Sequence, residues 1–454
     1  MKDGKKIVIT YGTYDLLHYG HIALLKRAKA LGDYLIVGVT NDNFDRERGK
    51  LNVRNNVLER VEAVRKSGLA DEIVIENYIG QKIDDIQKYD VDIFAIGSDW
   101  KGQFDYLNEY CKVVYLPRTE GISSTQLRAE SAKLVTIGIV GCGRIASRFI
   151  NEMSAVSGCE TSSVYDIDAK RAAMFAYEHS ITSVSKSIDD LLSISDAIYI
   201  ATPHLTHEGY IRTALESHKH VLCETPMALN GEKATALYDM AKRNNIILLE
   251  ANKTAFCPAF NHLVVLVKSG LIGQVVDVDA SLSKLWVDKG DLREFDPVQA
   301  GGSMFELASY PLLPIFRFLG TDIIDFKFLS QKNEKGIDLF TRGLIFTSSG
   351  VGSFKVGLGV KTEGSLIISG TKGYAYVPAP WWKTDYFELR FEDTTKNKKF
   401  FYQWDGDGLR YEIQEFVSSI VNKRLMSSHM PIHESVAMAT VMEKYKTSKN
   451  IVLI

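Results

Sequence analysis

The chain has 454 residues, which is too long for one ordinary hydrophobic core and predicts two or three domains. Its formal net charge of -2 gives no electrostatic reason to bind nucleic acid or a membrane surface. The five cysteines are odd in number and scattered, with no CxxC pair and no metal-ligand spacing, which suits a reducing cytoplasm. The start MKDGKKIVIT lacks the apolar core of a signal peptide, so we expect a cytoplasmic protein without a membrane span.

The first chemical motif is the run GTYDLLHYGH, which ends at His21. It follows a predicted strand over residues 7–11 and leads into a helical pattern that begins near Gly20. The free N–H groups at the start of such a helix favour a bound phosphate. At this spacing His18 and His21 can face one triphosphate and stabilise the charge on a phosphorus under attack. Two histidines near a turn can also be surface polar residues, so the motif alone leaves both interpretations open.

Two further blocks follow in order, GSDWKGQFDYL from Gly97 and VVYLPRTEGISST ending at Thr125. With the first block, they make residues 6–128 resemble the glycerol-3-phosphate cytidylyltransferase family of HxGH nucleotidylyltransferases. The resemblance implies a Rossmann-like α/β domain that transfers CMP from CTP to a small polyol phosphate and releases pyrophosphate, with Mg²⁺ on the leaving group. HxGH enzymes as a class also adenylylate, so ATP stays open as the alternative nucleotide.

The resemblance also implies roles for individual residues of the transferase. His18 and His21 would stabilise the transition state, while Lys50 and Arg118 would supply positive charge for the in-line displacement. The implied nucleotide site consists of Thr13, Tyr14, His18, Tyr19, Gly20, His21, Lys50, Arg118, Thr119, Glu120, Gly121, Ile122, Ser123, Ser124 and Thr125.

The implied acceptor site departs from the family in two places. Arg48 and Lys82 fall where the family places lysines on the phosphorylated substrate. Arginine at position 48 keeps the charge but donates through a planar guanidinium instead of a single ammonium. Arg60 matches a family arginine, whereas Gly68 stands where relatives often carry another. The identity of the acceptor is therefore left open.

A second strand, loop and helix pattern begins with a predicted strand over residues 135–140. The run GCGRIA that follows matches the pattern GxGxxA, and it lies between a predicted strand and a helical pattern, as this pattern requires. Gly141 permits a tight turn, Gly143 lets a pyrophosphate approach the backbone, and the small Ala146 lets the helix pack on the strand. The predicted cofactor-binding residues of this loop are Gly141, Gly143, Arg144 and Ile145.

Asp166 ends the next predicted strand, about where a carboxylate meets the adenosine ribose. It would accept hydrogen bonds from a free 2′-hydroxyl and repel a 2′-phosphate, so NAD(H) is favoured over NADP(H). Asp166 can also be an ordinary strand-end carboxylate, and the nearby Arg171 leaves the choice of cofactor open.

Four later blocks are SDAIYIATPHLTHEGY, HVLCETPMAL, EANKTAFCPAF and GGSMFELASYPLLPIFRFLG. They make residues 135–454 resemble the family of glucose-fructose oxidoreductases and inositol dehydrogenases (Gfo/Idh/MocA). The resemblance implies that Thr202, Pro203 and His207 line the dinucleotide and that Glu224 lies near the nicotinamide ribose.

Tyr310 occupies the place where members of this family carry a proton-donating tyrosine or histidine. A phenol can donate to a carbonyl oxygen while hydride arrives at the carbon, although a tyrosine in an apolar stretch can also be simply packed. Relatives read Glu-Lys-Pro where this chain has Thr225 in the middle, and threonine cannot replace the ammonium. Lys253 is the candidate for an ammonium in the same pocket, with a solvated surface lysine as the favoured interpretation.

After Ala255 the pattern changes to stretches rich in β-branched and aromatic residues, which predict a largely antiparallel open sheet with helices on one face. We therefore predict an α/β chain with a nucleotidylyltransferase domain (1–132), a Rossmann dinucleotide-binding domain (133–254) and an α+β domain for substrate binding and oligomerisation (255–454). An uncovered sheet face favours a homo-oligomer. A short helix is expected between the first two domains, at 126–134.

These expectations combine into one hypothesis. The NAD-linked half would interconvert a small keto or aldehyde sugar and a polyol, and the N-terminal half would couple a polyol phosphate to CMP. The product would be a CDP-polyol such as CDP-glycerol, used for cell-surface polysaccharide biosynthesis. The alternative is a cytidylyltransferase whose second half binds NAD as a regulatory domain without turnover.

Overall fold

The computed structural model describes the chain in several stretches. The described residues are 4–15, 17, 19–41, 53, 55, 57–78, 80–117, 134–286, 292–402, 404, 406–448 and 451–453. The chain divides into two units, residues 1–133 and residues 134–454. The further division of the second unit at residue 254 stays a prediction, and the helix predicted in the junction lies outside the described residues.

The first unit is built on a parallel sheet. Its central strands are buried runs of Val, Ile and aromatic residues, as expected for strands covered on both faces. The strand order is β3-β2-β1-β4-β5, and all neighbours are parallel. The strands are β1 (Ile7–Gly12), β2 (Tyr34–Thr40), β3 (Glu72–Glu76), β4 (Ile93–Gly97) and β5 (Lys112–Leu116). The helices described in this unit are Tyr19–Lys29, Val57–Lys66 and Gln81–Tyr89.

The order of these strands reverses at β1, which lies between β2 and β4. Loops that leave the carboxyl ends of strands at such a reversal form the usual ligand crevice of an open α/β sheet. The GTYD part of the first motif begins at Gly12, the last residue of β1, and continues into the loop, and the helix Tyr19–Lys29 follows. The fold therefore places the first motif at the crevice.

The second unit begins with another five-stranded parallel sheet. Its order is β10-β9-β8-β6-β7, which reverses between β6 and β8. The strands are β6 (Val135–Val140), β7 (Cys159–Tyr165), β8 (Ala197–Ile200), β9 (His220–Glu224) and β10 (Leu248–Ala251). The helices of this part are Arg144–Met153, Ala169–Glu178, Ile188–Ser193, His207–Glu216 and Gly231–Arg243. The glycine loop leaves β6 at the reversal.

A nine-stranded, mostly antiparallel sheet forms the rest of the second unit. Its order is β18-β17-β16-β15-β11-β14-β13-β12-β19, with parallel pairing between β11 and β14 and between β12 and β19. The strands are β11 (Val275–Ser283), β12 (Ile323–Lys332), β13 (Asp338–Thr347), β14 (Val351–Gly357), β15 (Leu366–Gly370), β16 (Tyr374–Val377), β17 (Tyr386–Arg390), β18 (Lys398–Phe401) and β19 (Val452–Leu453). The helices are Lys253–Phe256, Pro258–Lys268, Ser303–Leu307, Ser309–Leu319, Leu409–Val421 and Ile432–Thr447.

The helix Ser309–Leu319 packs across the middle of this sheet. A Cβ atom added at Gly352 of β14 would lie 2.4 Å from Ile315, so the glycine lets the helix approach the strand. This packing fixes the start of the helix, where Tyr310 lies.

The fold class predicted from the sequence is confirmed: two parallel Rossmann-like sheets are followed by a mixed, mostly antiparallel sheet. Among the residues that the structure describes, no helix is long and apolar enough to cross a membrane.

Candidate functional site

The loop after β1 contains a buried tyrosine. Tyr14 has a φ of 54° and is only 1% exposed, and its ring meets the ring of His21 edge-on with 5.6 Å between centroids. The side chain of Tyr14 is thus part of the core and orients His21. Because this side chain is buried, any contact of Tyr14 with a nucleotide would involve its backbone.

Arg60 binds the same loop through hydrogen bonds. Its guanidinium donates to the carbonyl of Thr13 at 2.7 Å and, through Nε, to the carbonyl of Asn55 at 2.9 Å. The carboxylate of Asp15 accepts from the backbone N–H of Asn55 at 3.0 Å. Because Arg60 is only 1% exposed, it acts as an internal brace between the motif loop and the segment near residue 55.

Lys82 lies at the carboxyl edge of the first sheet, inside a polar cluster. Its ammonium pairs with Glu76, the last residue of β3, and stands 4.6 Å from the ring centroid of Tyr11. The hydroxyl of Tyr11 donates to Asp85 at 2.7 Å. The side chain of Lys82 is 9% exposed, so an acceptor phosphate would have to share this ammonium with Glu76.

Several predicted residues of the transferase site lie outside the described residues. They are His18, Arg48, Lys50 and the segment 118–125. Tyr19 and Gly20 begin the helix Tyr19–Lys29, as the motif predicts, and His21 follows them.

The glycine loop of the second unit has the form that a dinucleotide requires. Gly141 has a φ of +92°, and a Cβ there would lie 2.8 Å from the carbonyl oxygen of Ala201 and 2.8 Å from the methyl of Thr202. Among the described residues, a Cβ at Gly143 would meet no atom within 4 Å, so the backbone is open to a pyrophosphate at that point. The helix Arg144–Met153 begins at the next residue, and its free N–H groups complete the fit.

Asp166 follows β7 as predicted, but its carboxylate is already engaged. It accepts from the backbone N–H of Cys142 at 2.9 Å and from that of Asp168 at 2.9 Å, and Arg171 lies 3.7 Å away. These bonds tie the end of β7 to the glycine loop. Because Arg171 offsets the charge of Asp166, the geometry suits NAD(P) in general rather than NAD alone.

His207, which the family resemblance places along the dinucleotide, begins the helix His207–Glu216. It is fully buried, and its two ring nitrogens lie 2.9 Å from the carbonyl of Pro226 and 2.8 Å from that of Thr202. Burial lowers the pKa of His207, although the carbonyls of Pro226 and Thr202 oppose this shift. The histidine links the Thr202–Pro203 loop to the turn after β9 and positions them.

Glu224, at the end of β9, accepts a hydrogen bond from the hydroxyl of Tyr199. Burial raises the pKa of Glu224 to about 7, and Glu250 adds to the shift. The hydroxyl of Thr225 donates to Glu250 at 3.0 Å, as does the N–H of Met227 at 3.1 Å. Thr225 therefore fixes the turn and supplies nothing in place of the missing ammonium.

Lys253 is a partly buried ammonium that acts electrostatically on Glu224. Its Nζ donates to the carbonyl of Asp407 at 2.7 Å, and burial, together with the charge of Lys383, lowers its pKa. The charges of Glu412, Asp407 and Glu224 oppose this shift and raise the pKa. The favoured expectation of a solvated surface lysine was wrong, because a residue that lies far along the chain, Asp407, draws Lys253 inward.

Tyr310 lies in the first turn of the helix Ser309–Leu319, within the electrostatic influence of Glu224. Asn252, which is fully buried, donates to the carbonyl of Ser309 at 3.1 Å and so fixes the start of the helix. Burial raises the pKa of Tyr310, and the charges of Glu224 and Glu412 raise it further. The phenol thus keeps its proton at neutral pH, as a proton donor must.

Sequence reasoning missed Glu412. It lies in the first turn of the helix Leu409–Val421, is 1% exposed, and has no hydrogen-bond partner for either carboxylate oxygen among the described residues. Burial and then the charge of Glu224 raise its pKa well above the usual range. Nothing in the run LRYEIQEF distinguishes this glutamate from an ordinary helix residue.

Two family models match the chain. Residues 9–130 match the family described as "Cytidylyltransferase-like", and residues 135–251 match "Oxidoreductase family, NAD-binding Rossmann fold". The two matched segments contain the two crevices described above.

Individual relatives divide in the same way. A glycerol-3-phosphate cytidylyltransferase of Bacillus spizizenii is 52% identical over 134 residues, which are 28% of this chain and 99% of that enzyme. A trans-1,2-dihydrobenzene-1,2-diol dehydrogenase of Oryctolagus cuniculus is 29% identical over 324 residues, which are 68% of this chain and 96% of that enzyme.

Among solved structures, the 3-ketoreductase KijD10 of Actinomadura kijaniata, in complex with NADP and TDP-benzene, shares the fold of the second unit. The TM-score is 0.63 at 19% identity, and the match covers 71% of this chain and all (100%) of that one. The chain therefore belongs to the glycerol-3-phosphate cytidylyltransferase-like enzymes through its N-terminal domain, which is fused to an NAD-binding oxidoreductase domain of the Gfo/Idh/MocA family.

Proposed function

We propose that this chain is a bifunctional enzyme of CDP-polyol synthesis. The N-terminal domain transfers CMP from CTP to a small polyol phosphate such as glycerol 3-phosphate, with Mg²⁺, and releases pyrophosphate. The oxidoreductase half interconverts a small carbonyl compound and a polyol with NAD(H) or NADP(H), and its product feeds the first half. The observation that carries the proposal is the 52% identity over nearly the whole of a glycerol-3-phosphate cytidylyltransferase, on the same chain as the oxidoreductase.

The transferase assignment is supported by the way the fold holds the first motif. His21 is oriented by the buried Tyr14, and Arg60 braces the loop through Thr13. A phosphate monoester is already an anion, so the acceptor needs no general base; the domain has to position it in line and stabilise charge at the phosphorus. His18, His21, Lys50 and Arg118 are proposed for that task.

The oxidoreductase assignment is supported by the pocket around Tyr310. A reduced nicotinamide supplies the hydride, and Tyr310 is the proposed donor of the proton to the carbonyl oxygen. The dehydrogenase relative from Oryctolagus cuniculus is named for a vicinal diol, which favours a polyol or its ketone as substrate.

Three cations surround Asp407 beside this pocket, which favours a phosphorylated substrate. Arg148 lies 3.8 Å and Lys383 lies 3.5 Å from its carboxylate, while Lys253 binds its carbonyl. Arg148 also acts electrostatically on Tyr310. Arg148 and Lys383 share the one carboxylate of Asp407, so this pair of cations suits a phosphate monoester, the group that the transferase half also needs.

The alternative is a cytidylyltransferase regulated by an NAD-binding domain that does not turn over. It rests on Thr225, which binds Glu250 and leaves the position of the usual lysine without charge. Lys253 in the pocket favours the bifunctional proposal over this alternative. Three domains (1–132, 133–254 and 255–454), a homo-oligomer and a cytoplasmic location complete the proposal.

The proposal is tested by pyrophosphate release from the full-length protein with magnesium and either CTP or ATP. The acceptors are glycerol 3-phosphate, tetritol and pentitol phosphates, and phosphoethanolamine. We expect release with CTP and one polyol phosphate, lost in His18→Ala. Release with ATP alone would assign another nucleotide, and no release with any acceptor would refute the transferase assignment.

The regulatory alternative is tested in the same assay with and without NADH. Oxidation of NADH by a carbonyl substrate, abolished in Tyr310→Phe, would exclude it. NADH binding that changes the rate of pyrophosphate release without any oxidation would establish it.

A further inference from the structure

Asp407 places its carboxylate beside two cations that come from different parts of the second unit. One oxygen lies 3.8 Å from Nε of Arg148, and the other lies 3.5 Å from Nζ of Lys383. A charge-assisted hydrogen bond between a cationic N–H and a carboxylate oxygen is about 2.7–2.9 Å long, so both contacts are looser than such a bond. Neither cation is held by Asp407 as closely as an anion that fits between them would hold it.

The backbone around Asp407 is fixed, whereas its side chain is free to turn. The ammonium of Lys253 donates to the carbonyl of Asp407 at 2.7 Å. Gly406, the residue before it, has a φ of 60°, and a Cβ there would collide with the carboxylate of Glu152. The side chain of Asp407 is 36% exposed, so its carboxylate can turn toward water. The segment can therefore exchange the partners of this carboxylate without moving its backbone.

The two cations stand on elements that border the proposed site. Arg148 belongs to the helix Arg144–Met153 and lies about one turn, roughly 6 Å, from its start at the glycine loop. Lys383 follows Trp382, whose carbonyl accepts a hydrogen bond from the hydroxyl of Thr254 at 2.9 Å. The pair of cations therefore joins the cofactor-binding helix to the segment that directly follows Lys253.

Hydrogen bonds also connect Asp407 to the start of the helix that carries Tyr310. Lys253, which binds the carbonyl of Asp407, directly follows Asn252 in the chain. Asn252 donates to the carbonyl of Ser309 at 3.1 Å, and Ser309 precedes Tyr310. Short connections thus link the pair of cations to the proposed proton donor on one side and to the glycine loop on the other.

Glu152 is a second carboxylate beside this loop, and its charge is balanced by Arg410. The guanidinium of Arg410 donates to both oxygens of Glu152, at 2.8 Å and 3.0 Å, and the backbone N–H of Arg410 donates to it at 3.3 Å. The charge of Glu152 is therefore satisfied without Arg148, which lies one turn earlier in the same helix.

Lys253 is a third cation beside Asp407, but it is engaged differently. Its ammonium binds the carbonyl of Asp407 and not the carboxylate. Burial and the charge of Lys383 lower its pKa, while the charges of Glu412, Asp407 and Glu224 raise it. The carboxylate of Asp407 is thus shared by Arg148 and Lys383, and Lys253 fixes the backbone.

We propose that Asp407 is a specificity-determining residue of the oxidoreductase site: its carboxylate holds Arg148 and Lys383 while the site is empty, and the phosphate of the substrate displaces it and binds both cations. The exchange is favourable because a phosphate monoester carries a charge of about -1.5 to -2 and three acceptor oxygens, whereas the carboxylate carries a single charge. An uncharged carbonyl compound cannot make this exchange. The inference rests on the proposed oxidoreductase function of this half.

The first test follows NADH oxidation by the full-length protein, with dihydroxyacetone phosphate and dihydroxyacetone as probes. Asp407→Asn keeps the carbonyl that binds Lys253 and removes only the competing charge. We expect the KM for dihydroxyacetone phosphate to fall about tenfold with little change in kcat, and neither constant to change for dihydroxyacetone. An unchanged KM for the phosphate would overturn the proposal and leave the oxidoreductase function intact.

Asp393→Asn is the matched control. Asp393 is an exposed carboxylate of the same unit that pairs with Lys396 at 3.2 Å, so this variant also removes one negative charge. It should leave both KM values unchanged, and a fall equal to that in Asp407→Asn would assign the effect to net charge and overturn the proposal. Lys383→Gln should raise the KM for the phosphate alone. Adding Asp407→Asn to Lys383→Gln should then gain less than it does in the wild type.

The second test needs no turnover. The full-length protein is titrated with inorganic phosphate in a calorimeter, without CTP or magnesium, and we expect Asp407→Asn to bind it about tenfold more tightly than the wild type. Any phosphate bound by the first unit is the same in both proteins, so the difference reports on the second unit. If the wild type reduces neither carbonyl probe, the proposed function fails on these substrates, and the titration still decides the role of Asp407. Equal affinities in the two proteins would overturn it.

Discussion

The hydroxyl of Tyr199 donates a hydrogen bond to the carboxyl of Glu224, across two neighbouring parallel strands of the dinucleotide-binding sheet. Tyr199 is fully buried and its ring stacks on that of Phe149 at 3.7 Å between centroids, so the donor cannot swing away. The pair fixes Glu224 at the carboxyl edge of the sheet, beside the ammonium of Lys253 and the phenol of Tyr310.

Removing this donor should destabilise the second unit. Tyr199→Phe leaves a buried oxygen of Glu224 without its partner, and we expect a loss of about 1–3 kcal/mol in the free energy of unfolding. Urea unfolding measures it, with Tyr177→Phe as the control, because Tyr177 is 89% exposed. Equal stabilities for the two variants would contradict the role assigned to Tyr199.

Because Glu224 is buried, the free energy of unfolding should fall as the pH rises. Burial raises its folded-state pKa to about 7, whereas an unfolded glutamate titrates near ~4.3. Between these values the folded state binds the proton and the unfolded state does not. The free energy of unfolding therefore falls over this range and stays constant above about 7. We expect Glu224→Gln to gain on the wild type in melting temperature from pH 5 to pH 7, and then to hold a constant difference.

Glu415 should show the opposite dependence. Although burial opposes it, the contacts with His429, Arg424 and Ser427 lower the pKa of Glu415 to about 2. Its stabilising contribution is therefore complete above the unfolded pKa and is lost as the pH falls through the acid range. Glu415→Gln should be less stable than the wild type at neutral pH and should approach it in acid, as melting temperatures against pH would show.

A substitution in the glycine loop should weaken cofactor binding without unfolding the chain. A methyl group at Gly143 meets no atom within 4 Å in the part of the chain that the structure describes, so Gly143→Ala should fold normally yet obstruct the pyrophosphate. We expect NADH affinity, measured by fluorescence titration, to fall at least tenfold. Gly209→Ala, also free of contacts, is the control. An unchanged NADH affinity in Gly143→Ala would show that the cofactor does not bind at this loop.

Arg60 should control the rate of cytidylyl transfer. Lysine keeps the charge but cannot bind the carbonyls of Thr13 and Asn55 with the same planar fork. A shift of about 1 Å in the motif loop can cost roughly 100-fold, so we expect kcat for pyrophosphate release in Arg60→Lys to fall by that order. Wild-type kinetics in this variant would show that the brace is dispensable.

Much of the fold could be predicted from local patterns. The glycine loop between β6 and the helix Arg144–Met153 follows from a buried strand, two glycines and a small residue in order. Asp166 was predicted at the end of a strand, and it does follow β7. Its bonds to Cys142 and Asp168 could not be predicted, because the direction of a side chain depends on the loop it meets.

The oxidoreductase pocket shows where local patterns give no information. Lys253 turns inward because Asp407 offers it a carbonyl, and Glu412 enters the pocket because its helix packs against the helices of Lys253 and Arg144. These contacts join residues that are far apart in the chain. Only the packing of the second unit brings them together, so the sequence favoured a solvated lysine and gave no sign of Glu412.

The two halves are proposed to act in sequence, so that the product of the oxidoreductase half is the acceptor of the transferase half. The most direct measurement incubates the full-length protein with CTP, magnesium, NADH and triose, tetrose or pentose phosphates, and detects cytidine-linked products by mass spectrometry. We predict that one carbonyl phosphate yields a CDP-polyol only when NADH and CTP are both present, and that His18→Ala and Tyr310→Phe each abolish it. A CDP-product formed solely from a preformed polyol phosphate, with no NADH consumed on any carbonyl compound, would contradict the account.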